Sequence, residues 1–360
     1  MIRRTLPLWR CQRRCWATCL ASLLPLAMSI APCRAADPSP RATEPTRPVA
    51  ESAAWRLNRV IVTPRGPEDG GDFGPLTPGT RTSGLQEAFD AAKARGKDLY
   101  MAGGNWTLGK VDGVVYVLHE TLRIPWMQDF HCDSGHCVIQ YEPKTGDAIT
   151  IDSQMSCYYR FGLIVSNADG AVLRLAPTTK GPDKFSVFTT TELHVNALVG
   201  GGGAWPGGEA FNSKLDTARK WVGTGLWLDA AAGPIDANRI SVIEVVGCAT
   251  GVRLSGPCTH NRLDATTVHL CQTHVQLGSD SDSGPQANRL EAHLASEGIP
   301  AAVGARVFGR DNLLTLSTGQ MAAQSDVIFE PGASGNRLIS VRLRQGITHR
   351  GDPKANAVWP

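Results

Sequence analysis

The feature that most restricts this chain is a short motif that returns five times in its C-terminal third. Aligned on asparagine, its copies read Ala237-Asn238-Arg239-Ile240, His260-Asn261-Arg262-Leu263, Ala287-Asn288-Arg289-Leu290, Asp311-Asn312-Leu313-Leu314 and Gly335-Asn336-Arg337-Leu338. The spacings are 23, 27, 24 and 24 residues. Self-similarity at such a period marks a stack in which each repeat buries its apolar face against its neighbours. One repeat per coil of a β-solenoid is the length that fits.

A second motif keeps step with the first. An apolar-x-apolar triplet appears as Val252-Arg253-Leu254 and Val275-Gln276-Leu277, and upstream as Ile149-Thr150-Ile151, Leu173-Arg174-Leu175 and Leu226-Trp227-Leu228. Alternation with period two sends the apolar members inward and leaves Thr150, Arg174, Trp227, Arg253 and Gln276 outside. The asparagines share the parity of the inward residues, which predicts a buried ladder of amides bonded from coil to coil. Asparagine also tolerates the left-handed turn geometry that such corners need. A leucine-rich repeat is the competing solenoid, and its LxxLxLxxN face is missing. Composition agrees with short strands and many turns: 38 glycines, 23 prolines and only 19% charged residues.

The N-terminus carries a basic region through Arg14, an apolar stretch from Cys19 to Pro32 and small residues at Ala35 and Ala36, the three parts of an export signal. Residues 1–35 are therefore expected to be a signal peptide, and residues 36–53, rich in proline and polar residues, a disordered lead-in. The ordered domain is expected over 54–350, with a long Gly-rich loop insertion at about 199–222 that carries Trp205 and Trp221. One helix stands out ahead of the coils. Leu85, Ala88, Phe89 and Ala92 recur on one face, Thr82 or Ser83 can cap the start and Gly96 can end it. An amphipathic helix here suits the open end of a solenoid.

Net charge is +3, and five arginines lie within the first fourteen residues, so the rest of the chain makes no electrostatic case for nucleic acid. No segment after the signal reads as a membrane span. Six cysteines lie beyond the signal: Cys132, Cys137, Cys157, Cys248, Cys258 and Cys271. An even number in an exported chain allows disulfides, and Cys248 and Cys271, at the same place in adjacent repeats, should stack as a disulfide or as two buried thiols. Cys132 and Cys137 could alternatively bind zinc with His131 and His136.

Asp72-Phe73-Gly74, the helix with Leu85-Gln86-Glu87-Ala88, the strand Leu99-Tyr100-Met101 and Gly103-Gly104-Asn105-Trp106-Thr107 together resemble the N-terminal cap and first coil of the pectate-lyase superfamily. With the Asn-aligned coils, the resemblance spans Trp55 to His349. It implies an all-β fold, a right-handed parallel β-helix with a short N-terminal capping helix. The superfamily includes lyases, glycosidases, transferases, epimerases and viral tail spikes, so the resemblance leaves the reaction open. It admits a homotrimer. Thr80-Arg81-Thr82 departs from the acidic pair usual before the helix, and Ala102 stands where proline is common.

Parallel strands stack roughly 4.8 Å apart, so residues about one repeat apart in sequence become neighbours in space. Counting from each asparagine, Arg239, Arg262 and Arg289 form one outward column, Asp264 and Glu291 a second, and His293 falls in a third beside Thr266 and Ser317. Asp264 and Glu291 could bracket a glycosidic bond. Alternatively they could hold calcium while an arginine or histidine removes the proton α to a uronate carboxylate. The arginines suit an anionic sugar. Cross-strand ion pairs without further purpose would produce the same pattern.

On the other strand set, Trp227 offers a flat platform for a sugar ring, Asp229 a carboxylate beside it and Arg253 a cation on the next coil. Asp152 is the equivalent of Asp229, with Ala176 on the coil between, and Glu192, His194 and Asn196 share an outer face. The combined expectation is a secreted or periplasmic carbohydrate-active enzyme. It would cleave a polysaccharide or oligosaccharide by β-elimination of a uronate glycan or by glycoside hydrolysis. No cofactor is required, except calcium on the lyase route. The alternative from a different class is a non-catalytic β-helix that binds glycans or coats a surface.

Overall fold

The computed structural model describes residues 58–103, 105–107, 110–112, 115–181, 184–201, 221–282, 284–295, 299, 302–319 and 323–359. The expected signal peptide, the lead-in, Trp55, Gly104 and most of the 199–222 insertion with Trp205 lie outside the described residues. No helix among the described residues is long and apolar enough to cross a membrane.

The chain winds as a right-handed parallel β-helix. Each coil visits three sheets in the same order, and the hand is the one that parallel crossovers take. The first sheet is the longest, with twelve strands running from Arg59–Val62 through Glu192–Val199, Arg239–Val246, Arg262–His269, Arg289–Ala295 and Leu313–Thr318 to Ala357–Trp359. The second has nine, among them Ala171–Leu175, Val222–Asp229 and Cys248–Ser255. The third consists of two-residue strands such as Ile235–Asp236 and Cys258–Thr259, prolonged by single bridges through Gln286, Arg310 and Ser334. Among the described residues every neighbour pair in these three sheets is parallel; a separate two-stranded hairpin of Asn105–Thr107 with Lys110–Asp112 is antiparallel.

The asparagine ladder forms as the alternation predicts. Asn238, Asn261, Asn288, Asn312 and Asn336 are buried, and each Nδ2 donates to the Oδ1 of the next at 2.9 to 3.0 Å. The same Oδ1 atoms accept from the backbone N–H of the preceding asparagine, so one amide satisfies two donors. Asn356 adds a sixth rung at 2.8 Å, and the strand Ala357–Trp359 carries the coils beyond residue 350. Upstream, Thr191 takes the asparagine's place and its N–H donates to Asn238.

The left-handed corner, however, falls one residue before each asparagine: φ is 56° at Ala237, 52° at His260, 56° at Ala287, 56° at Asp311 and 65° at Gly335. The corner residue turns the backbone, and the asparagine after it is thereby aimed inward. The coils tolerate a side chain at a strained corner because the ladder over-determines the turn.

The helix α1 (Leu85–Arg95) buries Leu85, Ala88, Phe89 and Ala92 in the main core, which it shares with Val60, Leu99 and Phe130. Gly84 is the N-terminal boundary residue and makes no side-chain cap; the Thr82 hydroxyl accepts instead from the Gln86 N–H at 3.0 Å. Gly96, with φ 59°, ends the helix. At this corner of the molecule the helix closes the first coil, as its amphipathic pattern requires.

All six cysteines of the described domain are buried free thiols. Cys248 and Cys271 meet on adjacent coils, with the sulfurs directed at the carbonyls of Val246 and His269. Zinc does not fit the His131–Cys137 stretch. Cys132 and Cys137 point into the core, His131 lies on the outer face and His136 is exposed, because strand alternation separates neighbours by face. Among the described residues no group of three or more His, Cys, Asp or Glu side chains could hold a metal.

Candidate functional site

The outer face of the first sheet gathers six of the nine candidate residues into three columns. Register pairs Arg239 with Arg262 and Arg262 with Arg289. Ser241 pairs with Asp264, Asp264 with Glu291 and Glu291 with Thr315. His293 pairs with Ser317. These strands hold their outward side chains at two-residue intervals until Ala265. There the register slips, so that Thr266 and Thr267 together oppose His293. This bulge re-aims the local side chains and opens the sheet surface.

A groove of about 380 Å³ lies here, lined by Arg262, Asp264, Thr266, Glu291, His293, Thr315, Ser317 and Val341, with Ala265 and Ala292 at its floor. Arg262 Nε donates to Asp264 Oδ2 at 3.0 Å, whereas Arg289 stands 3.9 Å from Glu291. The other oxygen of Asp264, Oδ1, is buried and has no hydrogen-bond partner among the described residues. An unpaired buried carboxylate oxygen is costly, and such groups concentrate where a ligand or a reacting atom completes the site. Glu291 is about half exposed and open to the groove. His293 Nδ1 is hydrogen-bonded to Ser317 Oγ at 2.8 Å, and Gly319 leaves room for the ring, since a Cβ there would lie 3.0 Å from Nε2. Val341, 69% exposed, supplies an apolar wall.

The second-sheet candidates are on a different face, and the structure does not bring them to this groove. Trp227 is flanked by guanidinium groups from both neighbouring coils, Arg174 at 4.4 Å and Arg253 at 4.6 Å from the ring centroid. Its Nε1 donates to Ser255 Oγ at 2.8 Å. A ring sandwiched in this way is a structural cation–π stack and no bare platform.

Asp229 is buried, ion-paired to Arg174 through Oδ2, and its Oδ1 accepts from the Ala231 N–H and the Ser255 hydroxyl. Burial works against the charge on Arg174, but bonds to Asp229 and Asp147 more than offset it and raise its pKa. Asp152 lies two coils from Asp229 and ties down a loop. Its Oδ1 accepts from the N–H groups of Ser153, Thr178 and Thr179 at 2.7 to 2.8 Å. Burial pushes its pKa up, yet these bonds and the Thr179 hydroxyl hold it below the ordinary carboxylate value.

No protein-family model and no curated protein matches the chain. Among solved structures, the Dettilon tailspike protein (gp208) aligns at 11% identity and a TM-score of 0.35, over 85% of this chain and 69% of that one. The β-helix itself rests on the strand register and the amide ladder described above.

Several participants have no counterpart in a local sequence motif. Val341 enters the groove from a strand about two coils beyond Glu291, and the partnerless oxygen of Asp264 depends on side-chain packing. Arg174 joins Trp227 and Asp229 across an insertion that sets them more than fifty residues apart in sequence, so only the register could have paired them. His131, Tyr158 and His194 stack on three successive coils, with centroids 4.6 and 5.5 Å apart.

Proposed function

We propose that the protein is a glycan-cleaving β-helix that hydrolyses a glycosidic bond in the first-sheet groove, with Asp264 and Glu291 as the carboxylate pair. The observation that carries this reading is their register. Partners on adjacent parallel strands sit roughly 4.8 Å apart at the backbone, close to the roughly 5–5.5 Å between carboxyl groups that retaining hydrolysis uses.

Asp264 is the nucleophile. Arg262 orients it through Oδ2, and Oδ1, buried in the resting structure, meets the anomeric carbon when the side chain turns into the groove. Glu291 is the acid and base: it protonates the leaving oxygen as Asp264 bonds the sugar. It then takes a proton from the water that releases Asp264. His293 and Ser317 orient sugar hydroxyls, and the column of Arg239, Arg262 and Arg289 favours sugars bearing carboxylates.

That arginine column also favours a second reading, β-elimination of a uronate glycan, which would align the chain with the pectate-lyase-like proteins it resembles. On that route Asp264 and Glu291 would be the residues to hold calcium, through their carboxylate oxygens. The setting we infer is extracellular or periplasmic, with residues 1–35 removed.

Incubation with uronate-containing and neutral polysaccharides tests these readings. Hydrolysis releases reducing ends without ultraviolet absorbance, and elimination adds the absorbance of an unsaturated product. Asp264→Asn and Glu291→Gln should each lower the rate by at least about a hundredfold. Full activity in both variants would eliminate this groove, and binding without cleavage would make the protein a glycan-binding module.

A further inference from the structure

We infer that His131, Tyr158 and His194 form a second sugar-binding strip, so that the chain being cleaved lies along the axis of the helix across several coils. This rests on the cleavage reading and extends it to a part of the first sheet outside the groove.

The column that holds Arg239, Arg262 and Arg289 continues upstream as His131, Tyr158 and Glu192, and the column of Asp264 and Glu291 continues as Asp133, Arg160, His194 and Ser241. His194 is thus two coils from Asp264, roughly 10 Å, with only the small Ser241 between them.

The outer face of a sheet needs nothing apolar for its own stability. Here three successive coils nevertheless present rings, His131 against Tyr158 at 4.6 Å and Tyr158 against His194 at 5.5 Å, tilted by 49° and 44°. All three are partly exposed. Three partly exposed rings in mutual contact on one outer face offer an apolar surface against which the apolar face of a pyranose can pack.

Polar groups for the sugar hydroxyls stand at its margin. Glu192 Oε1 lies 3.1 Å from His194 Nε2 and 3.7 Å from Arg239, and its side chain is 40% exposed. Asn196 anchors the neighbouring edge by donating to the Gly135 carbonyl at 2.8 Å. The ligand is therefore the same glycan chain, gripped a few sugars from the bond that breaks. Attack inside long chains is the consequence, in preference to trimming of ends.

The test uses an array of uronate-containing and neutral oligosaccharides of graded length, with wild-type protein, Tyr158→Ala, His194→Ala and the groove variant Glu291→Gln. Because both replaced rings lie on the outer face, an unchanged melting temperature establishes that each variant is folded. His194→Ala serves alone if Tyr158→Ala is not. The strip predicts that Tyr158→Ala and His194→Ala bind long chains about tenfold more weakly. They should cleave the shortest cleavable oligosaccharide at the wild-type rate, while Glu291→Gln binds long chains but does not cleave them. Long-chain binding that survives both ring variants, with cleavage still dependent on Glu291, overturns the strip and leaves the groove standing. Ring-dependent binding with no cleavage by the wild type overturns the groove chemistry and keeps the strip. If no chain of any length is bound or cleaved, both are overturned.

Discussion

Replacing Asn288 by alanine tests the ladder where it is most constrained. Its Nδ2 donates to the Cys258 carbonyl at 2.9 Å, to Asn312 Oδ1 at 3.0 Å and to the Gln286 carbonyl at 3.1 Å, and its Oδ1 accepts from the N–H and the Nδ2 of Asn261 at 3.1 and 3.0 Å. The Cys258 carbonyl keeps a second donor, the Gln286 N–H, and Asn261 Nδ2 keeps the Ile235 carbonyl. The Asn261 backbone N–H keeps nothing. Five hydrogen bonds, three of them sharing the two Nδ2 hydrogens, contribute about 0.5–1.5 kcal/mol each, and a buried orphan donor costs about 1–3 kcal/mol, partly counting the same loss. Asn288→Ala should therefore destabilise by about 3–5 kcal/mol.

Asn356→Ala removes similar bonds at the last rung, where water can replace them, and should cost about 1–2 kcal/mol. Asn288→Asp is the sharper control. It keeps the acceptor for Asn261 but sets a carboxylate oxygen against the Cys258 carbonyl and Asn312 Oδ1, so it should do at least as much harm as alanine. Urea unfolding followed by circular dichroism reads all three. Equal losses for Asn288→Ala and Asn356→Ala, or a stable Asn288→Asp, would refute the ladder as the element that holds the coils in register.

Asp229→Asn should lower stability by about 1–3 kcal/mol, because Arg174 keeps only Asp147, while glycan cleavage stays at the wild-type rate. Loss of cleavage in a folded Asp229→Asn protein would return the second sheet to the site. Asp152 has a lowered pKa when folded, so its contribution is complete above its ordinary value near 3.8 and fades as the pH falls from there through the folded value. The melting-temperature advantage of wild type over Asp152→Asn should be constant near neutrality and vanish in strong acid; an advantage undiminished in acid contradicts the assignment. Burial raises the thiol of Cys137 to about 12 and that of Cys157 to about 11. Thiol reagents at neutral pH should label the six domain cysteines only after unfolding, and rapid labelling of the folded protein would show that the coils open locally.

The stack was legible because its two signals are periodic and independent: one asparagine per coil and one apolar-x-apolar triplet a fixed step behind it. Once coils are aligned, columns follow, which is why Arg262, Asp264, Glu291 and His293 could be placed on one surface from spacing alone. What spacing cannot carry is the state of each side chain within its column. Trp227 points outward as its parity requires, yet two guanidinium groups cover it, and one of them arrives from across the insertion. The bulge at Thr266 and Thr267 was invisible for the same reason, since an extra residue in one strand is only apparent against its partner. The corner lies one residue before the asparagine, and the repeat hides it because its occupant changes from coil to coil, through Ala237, His260, Ala287, Asp311 and Gly335, while the asparagine recurs.

The rungs of the amide ladder are separated by 23, 27, 24, 24 and 20 residues, and by 47 where the long insertion intervenes, yet the hydrogen-bond length hardly changes. Coil length and coil pitch are therefore uncoupled. Segments can be lengthened, trimmed or exchanged at the corners while the outer columns keep their spacing, much as beads of different size can hang from a ruler without moving its marks. A lineage built on this plan can rebuild the walls of its groove without having to re-invent the floor.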